Sequence, residues 1–188
     1  MNAPRLVRYA DTPEIAWKNG GGVTRQLAIH PPQATAAEFE WRVSIARLDE
    51  SAPFSEFAGI ERCLAVLQGE LRLSRAGTEP QTLHERSAPI TFAGDTPSHG
   101  EVLRGPVLDL NLMYQATRWR ASMSRLDLAG GSVRVLPSCI LCSLARQDVQ
   151  LAGRHIELEL YDLLMPAGAD LLALNAAFSA YRLQLEPR

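Results

Sequence analysis

The run Trp17-Lys18-Asn19-Gly20-Gly21-Gly22-Val23-Thr24-Arg25-Gln26 gathers residue types that could hold an anion. Lys18 is the only lysine in the chain, and every other member of the 19 Lys+Arg is arginine. Where arginine is the default cation, an ammonium beside an amide, three glycines and a hydroxyl marks a place where a compact point charge and open backbone N–H groups meet something. Successive N–H groups in such a turn can form a concavity that binds anions. The run is not a phosphate loop, because no Gly-Lys-Ser/Thr follows it and no helix opens after it. The alternative is a glycine turn carrying a surface lysine, and residue types alone leave both readings open.

Other groups that do chemistry are sparse. His30, His84, His99 and His155 form no H-x-H or H-x-x-x-H pair. Cys139 and Cys142 make a C-x-x-C, but Ile140 and Leu141 stand between them and no second pair supplies the further ligands that zinc requires. Together with Cys63 they read as buried core thiols, not as a disulfide framework.

The elements that must position these groups are strands. Trp41-Arg42-Val43-Ser44-Ile45 puts Trp41, Val43 and Ile45 on one face and Arg42 and Ser44 on the other. Asp109, Asn111 and Met113 alternate with Leu108, Leu110 and Leu112, and Thr24 shares a face with Gln26. Residues 62–68, 71–74, 155–163 and 180–185 also read as strands, with Gly69-Glu70 as a tight turn between the first two. No long helical stripe occurs, so many short strands argue for a sandwich or barrel. In a barrel, polar faces that point inward make a polar lumen of mixed charge that suits a small polar ligand. Faces that point outward are solvated surface, and a register slip of one residue exchanges the two.

The bulk composition bounds the function. The chain has 188 residues, 46% of them hydrophobic and 21% charged, as in an ordinary globular protein. A formal net charge of −2 with no Lys/Arg run argues against nucleic acid as a partner. No apolar stretch reaches bilayer-spanning length and the first ten residues lack a signal-peptide core, so no membrane partner and a cytoplasmic location are expected.

Several ordered motifs resemble the HutD/Ves family: W-K-N-G-G-G-x-T-x-Q at residues 17–26, W-R-V-S-I-A at 41–46, P-F-S-x-F-x-G-x-x-R-x-L-x-V-L-x-G at 53–69, F-x-G-D at 92–95 and D-L-N-L-M at 109–113. The resemblance implies an all-β, cupin-type double-stranded β-helix with two cupin-like halves (a bicupin) in one chain of residues 1–188. The halves are expected at about 1–116 and 117–188. It brings no established catalytic activity. HutD-type members are thought to bind a small acid of histidine breakdown, with N-formylglutamate the leading suggestion.

A metal-binding cupin carries H-x-H, then Glu, then Gly at fixed spacing. With Gly69 as that glycine, Arg62 takes the Glu position, and the His positions fall on Ser55 and Phe57, or on Phe54 and Glu56. An arginine cannot ligate a metal, so neither metal nor cofactor is expected. A guanidinium there could instead hold a carboxylate by two parallel hydrogen bonds. The expected ligand-binding set is Lys18, Asn19, Gly20, Gly21, Gly22, Thr24, Gln26, Arg42, Ser44, Arg62, Asp109 and Asn111, with no catalytic residue. The rival is a structural ion-pair network of Arg62, Arg42 and Asp109 with no ligand.

Three functions follow. The first is a non-catalytic binder or regulator for a small acidic metabolite, linked to histidine utilisation. The second is a metal-independent isomerase- or epimerase-like enzyme using Lys18, Asp109 and His99, or a stress-linked Ves-type protein. The third is an interaction protein that dimerises through the apolar region 160–174.

Overall fold

Apolar–polar alternation carries the whole chain into β structure, and no helix occurs among the described residues. The computed structural model describes residues 3–17, 20–35 and 38–188. In chain order the strands are β1 (Arg5–Val7), β2 (Glu14–Ala16), β3 (Gly22–His30), β4 (Trp41–Leu48), β5 (Ala52–Pro53), β6 (Ile60–Arg75), β7 (Gln81–His84), β8 (Ile90–Ala93) and β9 (Ser98–Gln115). They continue as β10 (Trp119–Leu128), β11 (Gly131–Val135), β12 (Cys139–Ser143), β13 (Gln147–Leu151), β14 (Arg154–Leu158), β15 (Leu163–Met165), β16 (Asp170–Leu174) and β17 (Phe178–Pro187).

The chain divides into two compact units, one of Met1–Thr12 with Ala121–Glu186 and one of Pro13–Arg120 with Pro187–Arg188. In the first, a sheet of order β1-β15-β12-β17-β10 and a sheet of order β11-β16-β13-β14 contribute to one core. Cys139, Leu141, Leu164 and Phe178 come from the first sheet, and Val135, Val149, Leu158 and Leu172 from the second. β1 belongs to this unit because Leu6 pairs with Leu164 and packs on that core.

Residues 155–163 do not form one strand as their alternation suggests. β14 stops at Leu158, Tyr161 turns the chain with φ 69°, and β15 begins at Leu163. The buried Asp162 holds this turn: its carboxylate accepts hydrogen bonds from the Glu159 N–H (3.0 Å), the Tyr9 N–H (2.9 Å) and the Arg8 guanidinium (2.6 Å). The apolar region 160–174, expected as an interface, is mostly core: Leu163, Leu164 and Leu172 are fully buried, and only Leu160 and Leu171 among its large apolar side chains are exposed. Cys63, Cys139 and Cys142 are buried and none is in a disulfide, and burial pushes Cys139 up to about 11.

The second unit is built on a sheet of order β2-β3-β4-β9-β6-β7, with β5 on β9 and β8 on β6. Its backbone is the long antiparallel pair of β6 (16 residues) and β9 (18 residues). Gly69-Glu70 is not the expected tight turn. The chain continues through it within β6, and the pairing with β9 shifts register between Val66 and Leu71. Gly69 has φ 85°, and a Cβ there would stand 2.6 Å from the Arg104 carbonyl oxygen and 2.8 Å from that of Pro106. Such a bulge bends and twists the strand pair. The same glycine suits a turn or a bulge, because both need a positive φ.

On β4, β9 and β6 both faces are buried. Val43, Ile45, Cys63, Ala65, Leu110 and Leu112 occupy one. The other is divided along its length. Ala46, Leu48, Leu64, Val66 and Val107 join Phe54, Leu71 and Phe92 in an apolar cluster, and Arg42, Ser44, Arg62, Asp109 and Asn111 share the same face.

Candidate functional site

The polar part of that face lines a cavity of about 630 Å³ in the unit of Pro13–Arg120. Strand register sets its rows. Gln26 lies opposite Ser44, and Ser44 opposite Asn111. Thr24 lies opposite Ala46, and Ala46 opposite Asp109. Arg42 and Arg62 both lie opposite Met113, one from each side. All of these face the cavity, so the inward orientation that alternation left open is the one the chain adopts for Thr24, Gln26, Arg42, Ser44, Arg62, Asp109 and Asn111.

Two guanidiniums enter this space on aromatic supports. Arg42 lies 4.9 Å from the Phe39 ring centre and 5.4 Å from that of Phe57, and its NH2 donates to the Met113 sulfur at 3.1 Å. Arg62 lies 4.8 Å from the Phe54 ring centre and 5.5 Å from that of Phe92. Ring faces offset part of the cost of burying a cation. Arg62 is only 7% exposed, and burial pulls it down to about 10, with Asp109 opposing and Arg42 adding to the shift. It stays charged at neutral pH. Burial also lowers Arg42.

Asp109 is 1% exposed, and burial raises its carboxyl to about 7 against the opposing pull of Arg62. The two make no direct ion pair. Arg62 donates to Asn111 Oδ1 at 3.1 Å, and Asn111 Nδ2 donates to Asp109 Oδ1. Asp109 Oδ2 and Arg62 Nε are buried with no hydrogen-bond partner among the described residues. The ion-pair network expected of Arg62 and Asp109 is therefore a relay through an amide. A carboxylate and a guanidinium on facing strands stay apart when an asparagine two residues along occupies the space between them.

At the mouth, Ile15 is 56% exposed although it lines the cavity. Trp17 forms a wall beside it and donates from Nε1 to Thr24 Oγ1 at 2.8 Å. The glycines do not line the cavity. Gly20 (φ 74°) donates its N–H to the Trp17 carbonyl, and the carbonyls of Gly21 and Gly22 accept from Asp49 and Trp17. A Cβ on Gly22 would stand 2.2 Å from the Arg47 carbonyl oxygen, so this glycine serves close backbone approach. Among the three, Gly20 thus spends its N–H on closing the β2–β3 connection and not on an anion. Lys18 and Asn19 lie outside the described residues.

His99 is exposed on β9, paired with Pro53 and Ser74 and away from the cavity, so it does not join Asp109. Among the described residues no group of three or more His, Cys, Asp and Glu side chains is placed to hold a metal ion. Of the two registers for the cupin histidine positions, Ser55 and Phe57 both line the cavity, and of Phe54 and Glu56 only Phe54 does. The aromatic supports Phe39, Phe54, Phe57 and Phe92 were not expected as site residues. The P-F-S-x-F spacing is the one signal that could have marked Phe54 and Phe57.

The family model described as HutD matches residues 9–181. An uncharacterized 21.2 kDa protein in the hutC 3′ region of Pseudomonas putida is 35% identical over 176 residues, which is 90% of this chain and 90% of that protein. Protein Ves of Citrobacter koseri is 36% identical over 117 residues, 61% of this chain and 60% of its own length. Among solved structures, HutD from Pseudomonas fluorescens SBW25, in a formate condition, matches with a TM-score of 0.82 at 29% identity, over 99% of this chain and 100% of that one. A cupin 2 conserved barrel domain protein from Leptotrichia buccalis shares the fold at 11% identity, with a TM-score of 0.63 over 100% of this chain and 98% of its own.

Proposed function

We propose, from the premise that the chain belongs to the HutD family, that it is a non-catalytic protein of histidine utilisation which holds a small acid in the cavity of its Pro13–Arg120 unit. N-formylglutamate is the ligand the family suggests. On this reading each of the two units is one cupin-like half. The observation that carries it is Arg62: a charged guanidinium buried in a cavity wall, with Nε free of any partner among the described residues. A buried cation with no counter-charge in direct contact is costly, and an acid seated against it would supply that contact by a charge-assisted hydrogen bond. Arg42 offers a second cationic point two strands away on the same face. N-formyl-L-glutamate titrated calorimetrically into the wild type is expected to bind saturably without turnover, and Arg62→Met to abolish binding. No binding of this acid by the folded wild type would overturn the choice of ligand, and unchanged binding by Arg62→Met would overturn the site.

A metal-independent acid–base enzyme is the second reading, favoured by the Asp109 carboxyl, which burial places near neutrality in the same cavity. Conversion of the added acid, lost in Asp109→Asn with binding retained, would establish it.

A further inference from the structure

Two atoms in the cavity wall are buried and unpartnered among the described residues, and they are opposite in sense: Arg62 Nε is a donor and Asp109 Oδ2 an acceptor. Leaving either unmet costs the desolvation of a charged group. They belong to neighbouring strands β6 and β9, and Asn111 bonds to both side chains. That amide has one workable orientation. Turning it over would set its NH2 against the guanidinium and its oxygen against the carboxylate, donor to donor and acceptor to acceptor. Asn111 therefore cannot rotate to satisfy either orphan. The other elements lining the cavity beside Asp109 offer Thr24 and Gln26 from β3, Arg42 and Ser44 from β4, and Arg62 from β6. Neither arginine and none of the three polar neutral groups bonds Oδ2, and Arg42, a donor only, cannot meet Arg62 Nε.

We infer that Asp109 is a specificity-determining residue that selects, among the small acids held by the cavity's arginines, those that also carry an N–H or O–H donor, as a secondary amide does. This rests on the anion-binding reading of the cavity. An acid with no donor leaves Asp109 Oδ2 unmet, and an ester oxygen in the place of the N–H sets lone pairs against the carboxylate, so the wall repels it as well as failing to attract it. A site built around a buried polar group rejects ligands that cannot pair with it far more strongly than an apolar pocket rejects a missing methylene. At pH 8, above the value of about 7 to which burial raises it, the Asp109 carboxylate accepts on both oxygens.

The test compares three acids at pH 8 by calorimetry: N-formyl-L-glutamate, its ester analogue with oxygen in place of N–H, and glutarate. The wild type is expected to bind the amide about tenfold or more tightly than the ester. Asp109→Asn is expected to bring that ratio close to one, with the ester bound no worse than by the wild type. Equal binding of all three acids by the wild type would leave the anion-binding reading standing and overturn the selection. An amide-to-ester ratio unchanged in Asp109→Asn would overturn the role of this residue. Binding of none of the three would overturn both. The amide-to-ester ratio on the wild type keeps the proposal falsifiable if the variant does not fold.

Discussion

Arg62 and Asn111 are joined by a 3.1 Å hydrogen bond across neighbouring strands, and Asn111 passes that connection on to Asp109. One neutral amide thus satisfies part of a buried cation and part of a buried carboxyl that make no direct pair. Asn111→Leu keeps the branching of the side chain, at a larger volume, and removes both bonds. Hydrogen bonds to charged groups are worth about 1.5–3 kcal/mol each, so the variant is expected to lose at least about 3 kcal/mol in urea unfolding. A loss under about 1 kcal/mol would mean that the relay contributes little to stability.

Asp109 makes stability depend on pH with a defined sign. Its folded value is raised from the ordinary 3.8 to about 7, so between those values the folded protein keeps a proton that the unfolded chain has released. Folding is favoured on the acid side and weakens as the pH rises through this window, by at most about 4 kcal/mol. Asp109→Asn lacks the titration. Its melting temperature relative to the wild type is expected to climb steadily from pH 4 to pH 7 and then level off. A difference that stays flat across that range would refute the raised value.

Gly69 is expected to be the least replaceable glycine of the long strand pair. Gly69→Ala combines a positive φ with a Cβ inside 3 Å of two carbonyl oxygens. Gly77 has a similar φ of 78° and open space around it. Gly77→Ala should cost about 1 kcal/mol and Gly69→Ala clearly more, with thermal unfolding as the measure.

Trp17 should report occupancy of the cavity, because its ring forms part of the wall, whereas Trp41 and Trp119 pack with His30. Titrating N-formyl-L-glutamate is expected to shift the fluorescence, and Trp17→Phe to remove that response while costing about 1 kcal/mol of stability for the lost bond to Thr24. A response that persists in Trp17→Phe would place the acid elsewhere.

Side-chain faces were legible in the sequence because the strand period is two. Asp109, Asn111 and Met113 share a face, as do Arg42 and Ser44, and these are the faces that line the cavity. Which face points inward was not legible, since alternation carries no direction. The break at Asp162 was hidden because the apolar pattern continues past it, and two of the three bonds that hold the turn come from Arg8 and Tyr9, some 150 positions earlier. The motif glycines were ambiguous for a related reason. Three glycines say that backbone comes close to something, and at Gly22 the close neighbour is the Arg47 carbonyl. The family resemblance was legible from ordered motifs between residues 17 and 113, and the family match extends across residues 9–181.

β1 makes the two units unequal as modules. The sheet of the Ala121–Glu186 unit takes its border strand from Arg5–Val7, which leaves the ribosome long before β15 and cannot dock until β15 has been synthesised. A gene fragment starting at codon 121 would encode a sheet whose β15 hydrogen-bonding groups lie bare on one side, the template on which chains aggregate. The two units are therefore not cassettes to be swapped or duplicated by cutting at residue 120. A transplant of the C-terminal unit has to bring residues 5–12 with it.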